Sequence, residues 1–129
     1  MKLIISRVSL FAGLLALLTG CSEIPERNCS QYTTGTYASY AVIDGDSVAT
    51  TFVRNDSLEI ESFLGKRDTS TVRWINNCEY ILKKLDPKNR AEEKSIHIKI
   101  LTTTDSSYTF EFNAVGSTKK LRATAFKKH

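Results

Sequence analysis

On either side of Asp105-Ser106-Ser107 the chain alternates apolar and polar residues one by one. Ile96, Ile98 and Ile100 stand against Ser95, His97 and Lys99, and Tyr108, Phe110 and Phe112 against Thr109, Glu111 and Asn113. A strand turns successive side chains to opposite faces, whereas a helix needs a period near 3.6, so this pattern demands half-buried strands. The same period runs from Tyr32 onward, broken about every ten residues by turn residues, which makes the domain all-β. Gly35 to Ile43 reads as a strand ending at Asp44-Gly45-Asp46, where Asp-Gly signals a hairpin. Ser47 to Val53 returns, Arg54-Asn55-Asp56 turns, and Ser57 to Phe63 sets Leu58 and Ile60 against Glu59 and Glu61. Gly65 to Asp68 reads as a loop, Thr71 to Ile75 as a strand, Asn76-Asn77 as a turn and Cys78 to Leu85 as its partner. Asp86 to Glu93 is a polar loop with room for one helical turn, and Lys119 to Phe126 is the last strand, after Gly116-Ser117.

About eight strands on short connections favour an antiparallel meander, because neighbours joined by a few residues pair as hairpins. Such a sheet curls or splits, and closure removes its exposed edges. A small barrel or half-barrel of lipocalin-like character is preferred; a Greek-key β-sandwich is the alternative. The inward set is Val48, Phe52, Leu58, Ile60, Val72, Trp74, Tyr80, Leu82, the three isoleucines, the three aromatics of the Tyr108 strand and Leu121. With so many bulky rings inside, an eight-stranded barrel is expected to be filled by its own side chains.

The amino terminus is of another kind. Lys2 and Arg7 precede Val8 to Leu18, apolar apart from Ser9 and Gly13, a run too short for the roughly 20 residues that cross a bilayer as a helix. Residues 1–20 read as a signal helix. Leu18-Thr19-Gly20-Cys21 resembles the lipobox of bacterial lipoprotein precursors. The resemblance implies that Cys21 carries a diacylglyceryl group and that cleavage falls before it; an ordinary secretory signal cut near Gly20 is the alternative. Residues 21–30, broken by Pro25, form a lipidated tether, and residues 31–129 a single β domain.

With Cys21 lipidated, Cys29 and Cys78 remain. In an oxidising compartment two leftover cysteines pair, which predicts a Cys29–Cys78 disulfide, with two buried free thiols as the alternative.

Charge excludes more than it suggests. Once Lys2 and Arg7 leave with the signal, 16 basic residues face 14 acidic ones. The basic tail, Lys119, Lys120, Arg122, Lys127 and Lys128, reads as a solvated strand face, and no nucleic-acid partner is expected. His97 and His129 lack companions at ligand spacing, so neither a metal nor any other cofactor is expected, nor a serine–histidine nucleophile. Glu59 and Glu61 stand about 7 Å apart on one face, a separation an inverting glycosidase pair could use, but they read as surface glutamates without a binding loop. Asp44-Gly45-Asp46 lacks the remaining ligands of a calcium loop.

Asp46-Ser47-Val48 and Asp56-Ser57-Leu58 resemble the acceptor motif for O-glycosylation of exported Bacteroidota proteins, which makes Ser47 and Ser57 candidate glycan sites. Cys29, Thr34-Gly35-Thr36-Tyr37 and Trp74-Ile75-Asn76-Asn77-Cys78-Glu79-Tyr80 together resemble a family of small Bacteroidota lipoproteins, whose members often carry the label DNA topoisomerase IV. That enzyme needs ATPase, metal-binding and catalytic tyrosine modules, which the 109 residues after the signal do not hold. The resemblance implies a secreted lipoprotein fold and no known activity. The expectation is a non-enzymatic interaction or accessory module, lipid-anchored in the cell envelope with an envelope protein as partner; the alternative is a lipocalin-like carrier of a small apolar ligand. Ser22 lacks the aspartate of an inner-membrane retention signal, which favours the outer membrane, with the leaflet and the oligomeric state open.

Overall fold

The computed structural model describes residues 27–129; the signal segment 1–20, Cys21 and the tether as far as residue 26 lie outside the described residues. Eight strands follow a 3-10 turn at Cys29–Tyr32: β1 (Gly35–Ile43), β2 (Asp46–Arg54), β3 (Leu58–Phe63), β4 (Lys66–Asn76), β5 (Glu79–Lys84), β6 (Ile96–Thr103), β7 (Ser107–Ala114) and β8 (Leu121–Lys128). Each pairs antiparallel with the next, and β8 pairs with β1, so the sheet closes into a barrel. This is the eight-stranded meander the alternation called for, and closure answers the edge problem: the sandwich is not formed. The polar loop after β5 does hold one helical turn, α1 (Arg90–Glu93), capped by Asn89, whose side chain accepts the Glu92 N–H.

Two hairpins owe their tightness to backbone chemistry. Asp44 and Gly45 have φ of 51° and 85°, Leu64 and Gly65 of 49° and 76°, so each pair forms a two-residue turn whose twist matches the strands. The second turn corrects the expected Gly65–Asp68 loop. The chain reverses over Leu64-Gly65 alone, Phe63 pairs with Lys66, and β4 starts at once.

Most strand phases agree with expectation: Phe52, Val72, Tyr80, Ile98, Ile100, Tyr108 and Phe110 are all buried. Strand β3 is the exception. Arg54 faces Glu59 and Phe52 faces Glu61 across the β2–β3 ladder, and residues opposite one another share a face of the sheet. Because Phe52 and Arg54 point inward, Glu59 and Glu61 do too, while Leu58 and Ile60 turn outward. The apolar alternation of β3 belongs to a surface pair instead: Ile60 lies opposite Val53, and the two are 36% and 50% exposed.

The barrel has unlike ends. At one, the 3-10 turn lies across the opening, with Cys29 and Tyr32 buried. Cys29 is bonded to Cys78, 5.3 Å away between Cα atoms, as the cysteine count predicted. Arg27 donates to the Ile100 carbonyl and the Asn28 N–H to Thr103 Oγ1, so the stretch expected to be free tether as far as residue 30 already packs on the barrel. The other end, bearing the Asp44-Gly45 and Leu64-Gly65 turns and the loops after β5 and β7, is open.

Candidate functional site

The interior divides into a polar lock at the closed end and a hollow at the open end. The lock is centred on Arg54, the last residue of β2, which is 1% exposed. A buried guanidinium must place five N–H donors in fixed directions. Nε donates to the Thr33 carbonyl, Nη1 to Glu59 Oε1 at 2.9 Å and Tyr80 Oη at 2.8 Å, and Nη2 to the Tyr32 carbonyl at 2.6 Å and Tyr108 Oη at 3.2 Å. Its carbon also lies 4.6 to 5.8 Å from the ring centres of Tyr80, Tyr37, Phe52, Trp74 and Tyr108, within cation–π range. Burial works against the charge, but Tyr80, Tyr108 and Glu59 outweigh it and hold Arg54 protonated. Burial likewise pushes the Glu59 carboxyl above its usual range against the pull of Arg54. The phenols move the same way for the same reason: burial raises Tyr80 and Tyr108, and Tyr37 reaches about 12. Trp74 leans on Tyr80 with ring centres 4.5 Å apart, and its Nε1 is buried with no hydrogen-bond partner among the described residues.

Above the lock lies a cavity of about 410 Å³. Its floor is Phe52, Tyr80 and Glu59. Ile96, Ile98, Leu82, Phe110 and Phe112 form one wall, and Ser39, Ala41, Thr50 and Ala123 leave the space on the other. The expectation of a filled barrel therefore fails by half, since the large rings crowd the closed end and small inward residues follow them toward the mouth. Eight strands allow either outcome, a packed interior or room for one small ligand. The two carboxylates on the wall, Glu59 and Glu61, are the only charged lining residues among those described. Glu61 is exposed at the mouth, where the partial loss of surrounding water and then the charge of Asp68 raise its carboxyl above the usual range, with Lys84 opposing.

The other residues singled out in the sequence sit apart from the cavity. Cys29 and Cys78 staple the closed end, and Ser47 and Ser57 are exposed near opposite ends of the barrel. Cys21 lies outside the described residues. His97 faces Glu79, with Nε2 and Oε1 3.1 Å apart, and among the described residues no three His, Cys, Asp or Glu side chains gather as a metal site would require.

Sequence reasoning missed Arg54, placing it in a turn, and gave Tyr32 no role. A signal for Arg54 was present. It continues the inward phase of Val48, Thr50 and Phe52, and a cation in such a register implies an anion opposite, which Glu59 supplies five residues later. Comparison of the chain with family models, with curated proteins and with solved structures finds no match, so the site rests on its own geometry.

Proposed function

We propose that this protein is a carrier or sensor of a small apolar molecule, which it binds in the calyx above Arg54 and does not convert. One observation carries this reading: a mostly apolar cavity of about 410 Å³, within the range of small-molecule sites, opening at one end of a closed barrel. An interaction module with a solid core has no need of such a space. The described chain begins at the closed end, where Arg27 and Asn28 pack, and the calyx opens at the other; a protein held at the envelope through lipid on Cys21 would then present its mouth to the aqueous side. A second reading, docking of an envelope protein on the outside, draws on Tyr40 and Phe126. These rings meet at 6.0 Å on the β1–β8 face and are 50% and 46% exposed.

Binding of the neutral apolar dye N-phenylnaphthylamine to the purified full chain tests the carrier reading. Fluorescence enhancement that saturates at one dye per chain, and that Ala41→Phe abolishes by filling the cavity without lowering the melting temperature, supports it. No enhancement, or enhancement unchanged in Ala41→Phe, refutes it and leaves the outer face as the functional surface.

A further inference from the structure

A fatty acid in such a cavity would need a cation in the wall to pair with its carboxylate. Here the only fully buried cation among the described residues is already engaged. All the Arg54 donors meet protein acceptors, and its guanidinium lies beneath the cavity floor. The cavity instead carries acceptors. Glu59 is 5% exposed, its Oε1 is taken by Arg54, and its Oε2 accepts no hydrogen bond among the described residues although the side chain lines the cavity. Glu61, two residues along the same strand and so about 7 Å away on the same wall, accepts none among the described residues either. Asp68 lies directly opposite Glu61 on β4; Lys84, which partly offsets the Glu61 charge, is itself shared by Asp68 at 3.4 Å and Glu92 at 2.6 Å, and Lys66 stands further out, opposite Phe63 at the turn.

We propose, resting on the carrier reading, that the calyx selects an apolar molecule bearing a protonated amine and rejects fatty-acid anions. The ammonium lies along the β3 wall, donating to Glu59 Oε2 and to Glu61, and the apolar body packs on Ile96, Ile98 and Phe112. A fatty-acid anion in the same place would bring a third carboxylate beside two others while the one buried cation among the described residues, Arg54, is already engaged, and burying that charge unpaired is costly.

Displacement of N-phenylnaphthylamine from the full chain by dodecylamine, dodecanol and laurate, matched in chain length, tests the assignment at neutral pH. Dodecylamine is expected to displace the dye at a concentration roughly tenfold below that of laurate, the size of one charge-assisted hydrogen bond. Glu61→Gln should remove most of that preference and leave dodecanol unchanged, and Glu61→Lys should reverse the order. Laurate binding as well as the amine, or a preference untouched in both variants, overturns the assignment while the carrier reading stands. A dye that never binds overturns both.

Discussion

Arg54 Nη1 stands 2.9 Å from Glu59 Oε1, and the two backbones lie directly opposite on β2 and β3, so the ion pair is a cross-strand pair turned into the barrel. Breaking such a buried pair from one side strands a charge. Arg54→Met should cost about 3–5 kcal/mol in chemical denaturation, because Glu59 loses its counter-ion and the Tyr32 and Thr33 carbonyls lose their donor. Replacing both partners, Arg54→Met with Glu59→Leu, should recover part of the loss. A double variant no more stable than Arg54→Met alone would show that the carbonyl and phenol contacts, not the charge pair, matter most.

The Cys29–Cys78 bond closes a long loop, with a sequence separation of 49 residues. In the chain-entropy description such a closure contributes about 4 kcal/mol. Thermal unfolding with and without reductant should therefore differ by ten degrees or more for a domain of this size, at roughly 4–8 °C per kcal/mol. The 3-10 turn should become protease-sensitive before the strands do, since Cys29 is its first residue.

Alkaline titration should separate the tyrosines. Of the five, Tyr32, Tyr37, Tyr80 and Tyr108 are all raised, chiefly by burial, with Tyr37 pushed up to about 12. Below the ordinary phenol value of 10.0 both folded and unfolded chains keep these protons, and pH has no effect through them. Above it the unfolded chain releases protons that the barrel retains, so stability falls as pH climbs toward about 12. Phenolate absorbance from the interior should appear in one cooperative step that coincides with loss of the β-sheet signal. Gradual ionisation ahead of unfolding would contradict the burial of these rings.

How far the molecule was legible from its sequence varies by strand. The β6–β7 hairpin was plain because both its faces obey one rule, apolar within and polar without. Strand β3 misled because Val53 and Ile60 cover each other on the outer surface, and an exposed apolar pair carries the same letters as a buried one. The disulfide followed from counting cysteines. The cavity did not follow from counting aromatics, since its volume depends on where along the barrel the large and small residues fall. Tyr37 and Ala41 share an inward phase on β1, as do Phe52 and Val48 on β2, with the bulkier residue nearer the closed end each time.

For a carrier of the kind proposed, the lock at the closed end would also fix how traffic through the barrel runs. With the guanidinium, its ring of aromatics and the stapled 3-10 turn filling one end, no solute passes from end to end, and arrival and departure share a single door. A second molecule cannot push the first out from behind. In such a carrier exchange would wait for spontaneous release, so residence time in the calyx, and not the supply of the next ligand, would set the pace of delivery.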